Sequence, residues 1–380
     1  MEQSINDLLK KTEEYESALL GLEAEDTGDE EFDTAPYSPD DIRISQYMYS
    51  VYQIFHWIED GILILRPEFQ RNRVWEIQRQ SLLIESIMLR IPIPTFYFQE
   101  DEEGNKLVID GLQRLSSIYA YMRGEFPLKG LQYLEKCNQM YFSELPKKYR
   151  IRIMETQLSV NVLDSKCDEK VKFDVFRRVN TGGVPLNPQE IRNSLASAQV
   201  RKLLLDMSSS PEFLKATRRR INDTRMDAQE LCLRFIVFFS RYDRHSDKLK
   251  NLGALVQMLD SAVVSLNRCS DLILSRWLLV FRSSMRKCCA LLGDEAFSKE
   301  NNEMVINKPL FITWAVLLFH HGGKDLKVLE SKQTEAVRLQ HQYFREGIYY
   351  NAITSSTAAR KNIELQFEAV SKILKELDLW

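Results

Sequence analysis

Asp110, Gln113 and Arg114 fall within five consecutive positions, in the run Ile109-Asp110-Gly111-Leu112-Gln113-Arg114. A carboxylate, an amide and a guanidinium at this spacing are side chains suited to phosphate chemistry. A guanidinium fork neutralises phosphate oxygens, a carboxylate holds Mg2+ or orients water, and an amide fixes geometry. Leu107-Val108-Ile109 reads as a strand, and Arg114-Leu115-Ser116-Ser117 opens a helical spacing. A strand turning sharply into a helix aims backbone N–H groups and the positive end of a dipole at one spot, which suits an anion. A plainer reading stands beside it: a βα turn in which Asp110 caps the helix and Arg114 is a surface residue.

Two other stretches carry similar chemistry. Arg66-Pro67-Glu68-Phe69-Gln70-Arg71-Asn72-Arg73-Val74-Trp75 crowds three arginines, a glutamine and aromatic residues into one loop. Such a loop is either an anion clamp or an exposed basic turn with Phe69 and Trp75 packed inward. Asn180-Thr181-Gly182-Gly183 follows a helical pattern, and its glycines let backbone approach a ligand closely.

The elements around these residues are readable from periodicity. Helices are expected over 49–60, 76–90, 114–123 and 170–179. Strands are expected over 62–65, 95–98, 106–109 and 158–163, with 95–98 and 106–109 forming a hairpin that delivers the chain to Asp110. Residues 127–150 show no clear period. Asn187, Pro188 and Glu190 have the spacing of a capped helix start. Beyond about residue 200 the pattern is helical almost throughout, and 231–239 and 309–319 are so apolar that burial is required. The run 309–319 is too short to cross a bilayer.

Over 380 residues the formal net charge is −3, but the balance is uneven. Residues 1–41 hold 14 acids and two lysines; the rest carries 49 basic and 40 acidic residues, a net of +9. An amphipathic helix over 4–22 and a flexible acidic linker over 23–41 are expected, either as a solvated tail or as acids covering a basic groove. A basic body permits a polyanionic partner such as DNA, with Arg218-Arg219-Arg220 and Arg241 to Arg244 as candidate contacts. Cysteines at 137, 167, 232, 269, 288 and 289 form no Cys-x-x-Cys pair. Reduced thiols, a cytoplasmic location and the lack of a secretory signal are the expectations. The five histidines show no spacing of a metal-dependent nuclease or a zinc site.

Five motifs occur in a set order: Phe69-Gln70-Arg71 with Trp75, Leu83-Ile84-Glu85-Ser86-Ile87, Pro92-Ile93-Pro94, Ile109 to Arg114, and Phe176-Arg177-Arg178-Val179-Asn180-Thr181-Gly182-Gly183. This order resembles the GmrSD-type N-terminal domain, the GmrS half of a modification-dependent restriction system, related to the ParB/sulfiredoxin superfamily. The resemblance covers roughly residues 42–200, and the segment from Arg225 to Phe235 is similar to one that often follows. It implies an α/β (α+β) fold, in which a ParB/sulfiredoxin-like mixed-sheet domain at 42–200 precedes a mostly helical domain at 201–380. It further implies a nucleoside triphosphate and Mg2+, with Asp110, Gln113 and Arg114 catalytic and Asp110 the metal ligand. Gln70, Arg71, Gly111, Arg114, Asn180 and Thr181 are the implied nucleotide contacts.

The family hallmark is Asp-Gly-Gln-Gln-Arg, and Leu112 stands at its third position here, which bears on turnover more than on binding. The resulting expectation is a nucleotide-dependent DNA-sensing or regulatory subunit of an anti-phage restriction system. Foreign or modified DNA, a separate nuclease chain and a second copy of the chain are the partners considered. A non-hydrolysing DNA- or protein-binding module and a self-contained nuclease are the alternatives.

Overall fold

The computed structural model describes residues 21–23, 25–26, 42–65, 75–101, 103–179, 187–299, 305–323 and 325–380. Gln70, Arg71, Asn180 and Thr181, and nearly all of the helix expected over 4–22, lie outside these residues. The chain divides into an α/β unit, Ala35–Leu186, and a helical unit, Met1–Thr34 with Asn187–Trp380.

The α/β unit begins with β1 (Ile44–Ser50) and α1 (Val51–Glu59), followed by β2 (Leu63–Ile64) and α2 (Ile77–Met88). The hairpin β3 (Phe96–Glu100) and β4 (Lys106–Asp110) leads into α3 (Leu112–Met122). Then come α4 (Lys147–Glu155), β5 (Gln157–Leu163) and α5 (Glu169–Val179). The strands form one mixed sheet in the order β1-β5-β3-β4-β2. β1 and β5 are antiparallel, from Ile44 opposite Leu163 to Ser50 opposite Gln157; β3 runs parallel to β5 and antiparallel to β4, and β2 runs parallel to β4.

Strand alternation sends Phe96 and Phe98 of β3 and Leu158, Val160 and Val162 of β5 into one core. There they meet Val51 and Ile54 of α1, Ile84 and Ile87 of α2, and Leu115 and Ile118 of α3. β1 escapes the sequence reading because it is an edge strand, mostly exposed, whose apolar residues do not alternate. The aperiodic stretch at 127–150 is organised by one buried carboxylate. Glu85 accepts backbone N–H bonds from Gln132 (3.0 Å), Tyr133 (2.7 Å) and Leu134 (2.8 Å), in place of a regular element's own ladder.

The helical unit comprises α6 (Pro188–Leu195), α7 (Ala198–Ser208), α8 (Pro211–Ala216) and α9 (Asp227–Arg241). A short hairpin, β6 (Tyr242–Asp243) and β7 (Lys248–Leu249), is followed by α10 (Leu255–Asn267), α11 (Asp271–Leu292) and α12 (Lys308–His321). The chain closes with α13 (Leu326–Ser331), α14 (Gln333–Arg345), α15 (Ile348–Ala352) and α16 (Arg360–Glu376). α12 is apolar on every side and is enclosed accordingly: each residue from Pro309 to Leu318 is buried, and Trp314 donates to Gln340 at 2.7 Å.

The capping box expected at Asn187 is present, with Asn187 and Glu190 exchanging side-chain-to-backbone bonds at 2.7 Å. The helical unit begins at Asn187, ahead of the boundary expected at 200. The break comes at 186/187, because α6 is fixed inside the helical unit by Arg192, which pairs with Asp260 at 2.8 Å.

A correction concerns the acidic N-terminal stretch. Leu22 is buried and bridges in parallel to Ile306, so the expected helix does not reach residue 22. Glu23, Glu25 and Asp26 are docked rather than part of a free linker. Glu23 pairs with Lys299 and accepts from Asn307, Glu25 pairs with Arg234, and the Asp26 carbonyl accepts from Thr357. Among the described residues, no helix is long and apolar enough to cross a membrane. All six cysteines carry free thiols.

Candidate nucleotide site

β4 ends at Asp110, and α3 starts two residues later with Gly111 as its N-cap. The turn needs glycine for two reasons. Gly111 has φ +94°, a left-handed conformation that L side chains rarely adopt, and a Cβ there would come within 2.2 Å of the Phe96 ring. Asp110 therefore lies one position too early to cap α3, which corrects the capping role considered for it. Among the described residues no N-cap side chain bonds to this helix. The amides of Leu112, Gln113 and Arg114 belong to its first turn, where the helix itself offers no carbonyl partner.

Arg114 is not the surface arginine of the plainer reading. Its guanidinium donates to Asp110 Oδ2 at 2.8 Å, to the carbonyl of Thr95 at 3.3 Å and to the carbonyl of Pro94. It also lies over the Phe96 ring, 4.4 Å from the centroid. Burial pushes the Asp110 carboxyl above its ordinary value, although Arg114 and the Gly111 amide pull it down. Burial likewise lowers the Arg114 guanidinium against the pull of Asp110. In both partners desolvation outweighs attraction, as happens when a pair is taken partly out of water and, among the described residues, no further charge supports it.

Gln113 accepts from the backbone N–H of Trp75 at 3.3 Å, and Gln80 donates to the Trp75 carbonyl at 2.6 Å. The residue following the arginine-rich stretch 66–74 is thus anchored to the first turn of α3. α5, which leads into 180–183, packs beside β4. Leu112 is half-buried and packs against the α/β core, so this position contributes apolar contact where the family hallmark has an amide. Asp110, Gly111, Gln113 and Arg114 are brought together as the spacing required. Phe96 and the Pro94 and Thr95 carbonyls were missed; the only sequence signal for them was the Pro92-Ile93-Pro94 stop ahead of a strand.

The corner can receive an anionic group at the start of α3. Asp110 is already paired, and among the described residues no group of three or more His, Cys, Asp or Glu is placed to bind one.

The remaining candidates prove largely structural. His320 stacks on Phe239 and His321 on Trp380, and His321 Nε2 lies 2.7 Å from the Tyr242 hydroxyl. Burial pushes His320 down to about 4. Arg218 is turned inward to the Asp294 carbonyl and Ser298, and Arg241 donates to the carbonyls of Val237 and Asn251. Arg219 and Arg244 remain exposed.

The family model for the N-terminal domain of the GmrSD restriction endonuclease matches residues 51–197, from the first residue of α1 to just beyond α6. No curated protein matches the chain significantly. Over residues 51–197 the chain is thus similar to the GmrSD N-terminal domain, and the β4–α3 corner lies inside the matched stretch.

Proposed function

We propose that the protein is a component of a restriction or anti-phage system whose α/β unit recognises a nucleoside triphosphate at the β4–α3 corner. In this reading a separate nuclease chain cuts the DNA. The observation that carries it is the left-handed Gly111 opening an uncapped helix inside the GmrSD-type domain. First-turn amides and the helix dipole would take a phosphate there. Arg114 would add a guanidinium once Asp110 yields it, and Gln113 would hold the neighbouring loop in place. Magnesium would arrive with the phosphates it bridges, which is its usual mode of binding, with Asp110 as the chain's candidate ligand.

Recognition comes first in this proposal and turnover second. Leu112 brings no polar group to the corner, and Asp110 is occupied by Arg114. That favours a nucleotide-gated binding module over a fast NTPase as the second reading. The DNA contact rests on the +9 body, with exposed Arg219 and Arg244 as candidate phosphate partners.

The test is calorimetric titration of ATP, GTP, CTP and UTP with Mg2+ into wild type and Arg114→Ala. At least one nucleotide should bind, and the variant should bind it at least about tenfold more weakly, as expected for loss of a charge-assisted contact. If no triphosphate binds, or if the variant binds as wild type does, the reading is wrong. Phosphate release measured with and without DNA then separates turnover from recognition.

A further inference from the structure

The helical unit contains a cavity of about 290 Å³. It is lined by Glu25, Arg192, Glu230, Arg234 and Lys308, and by aliphatic side chains of α10. That volume sits near the lower end of small-molecule pockets.

Its charges are unevenly satisfied. Arg234 is gripped by Glu230 at 2.7 Å and Glu25 at 2.8 Å, and Lys308 stands 3.6–3.7 Å from the same two carboxylates. Arg192 is only 1% exposed and donates through Nε to Asp260 at 2.8 Å. Its Nη1 makes no hydrogen bond, with a Glu230 oxygen 3.6 Å away. A buried guanidinium with an unsatisfied N–H beside unfilled volume is costly for a site whose role is only structural. Filling such a site with apolar side chains is often as stabilising as a buried ion pair.

Glu25 differs from the other charged residues in origin. It comes from the 21–26 segment, which docks through the Leu22–Ile306 bridge, and its carboxylate also accepts from Thr357 at 2.8 Å. Were Glu25 withdrawn, the carboxylates in direct contact with Arg192, Arg234 and Lys308 among the described residues would be Glu230 and Asp260.

We propose that this cavity binds a small molecule bearing a carboxylate or phosphate group on a compact apolar body, and that Glu25 fills the anion position otherwise. The cations take the charged group, Arg192 Nη1 gains its missing acceptor, and α10 receives the apolar part. Occupancy expels the Glu25 side chain, so the ligand and the N-terminal segment compete for one position. This site is separate in sequence and chemistry from the β4–α3 corner, and its existence does not rest on the function proposed for that corner.

The experiment titrates phenyl phosphate, benzoate and inorganic phosphate into the full chain as wild type, Glu25→Gln and Glu25→Gln/Arg192→Gln. Glu25→Gln should bind phenyl phosphate or benzoate at least tenfold more tightly than wild type, and the double variant should lose that gain. Whichever of the two binds better identifies the headgroup; weaker inorganic phosphate shows the use of the apolar part. Equal binding by wild type and Glu25→Gln, or a gain that survives Arg192→Gln, overturns the proposal. The gain must also persist in Glu25→Gln/Arg114→Ala. If it is lost there, the phosphate belongs to the corner and the cavity proposal falls. Should Glu25→Gln fail to fold, wild type against Arg192→Gln decides: loss of the weaker wild-type binding supports the site, and unchanged binding overturns it.

Discussion

Arg114 in the α/β unit and Arg234 in the helical unit are both guanidiniums held by carboxylates at 2.7–2.8 Å, yet their electrostatics have opposite signs. At the corner, burial outweighs pairing, leaving the Asp110 carboxyl high and the Arg114 guanidinium low. In the cluster, burial is greater but pairing outweighs it. Glu25 is held below its ordinary value, Glu230 is held down at about 2, and the Arg234 guanidinium is raised. The difference lies in the number of supporting charges. Among the described residues Asp110 alone serves Arg114 as a carboxylate partner, whereas Glu25 and Glu230 both serve Arg234 and both also face Lys308. An ion pair without support is one that an arriving phosphate can exchange. A supported cluster stays closed unless the newcomer brings its own negative charge.

The largest effect that would break this comparison is expected at Arg234. Arg234→Ala leaves Glu25 and Glu230 buried with, among the described residues, Lys308 and the more distant Arg192 to compensate. A loss of about 3–5 kcal/mol of folding stability follows, the range for removing one partner of a buried pair. Urea denaturation followed by circular dichroism measures it. A loss under about 1 kcal/mol, the range of exposed pairs, would mean that the cluster is no better supported than the corner.

The next effect belongs to the corner. Gly111→Ala adds a methyl group at a positive φ and drives it into Phe96, a fully buried ring of the α/β core. A destabilisation of about 3 kcal/mol is expected, combining backbone strain with overpacking. Nucleotide binding should fall with it even at temperatures where the variant is folded, since α3 must shift to relieve the contact. Retained affinity in a folded Gly111→Ala protein would detach the proposed site from this turn.

The two regions also differ in how far they could be read from sequence. The Asp110 to Arg114 turn was legible because its parts are local, unlike Phe96 and the Pro94 and Thr95 carbonyls that hold Arg114. A strand run, Asp-Gly and a helical spacing lie within a dozen residues, and Arg114 reaches Asp110 across one helical turn. The sheet was legible wherever strands are buried, and β1 was missed because its edge position relaxes the pattern. The stretch at 127–150 was opaque because its order comes from Glu85, more than forty residues earlier, which satisfies its amides. The charged cavity was opaque for the same reason on a larger scale. Glu25, Arg192, Glu230 and Lys308 meet only through tertiary structure, and in the sequence Glu25 reads as one acid in an acidic tail. The docking of Leu22 at Ile306 brings it in.

The smallest effect tests how local the support of the cluster is. Asp227 lies in the first turn of α9, three residues before Glu230, and its Oδ2 is buried without a hydrogen-bond partner. Burial pushes its carboxyl up to about 6, although Lys308 and Arg225 pull it down. Glu230, deeper and better paired, goes the other way. The two carboxylates therefore impose opposite pH dependences on the helical unit. A raised pKa means that the folded state holds the proton more tightly; the stability Asp227 confers is complete below about pH 4, its unfolded range, and is lost as pH rises through about 6. A lowered pKa means that Glu230 stabilises above about 4.5 and loses that contribution as pH falls towards 2. Asp227→Asn removes the first slope alone. It should stabilise the protein by up to about 3 kcal/mol at pH 7 and have little effect at pH 4, from roughly two pKa units at about 1.4 kcal/mol each. Thermal melts of wild type and variant at pH 4, 5, 6 and 7 would show the gap opening with pH. A variant that instead loses stability relative to wild type as pH rises would mean that Asp227 shares the cluster's cations as Glu230 does, and that local support extends to the helix start.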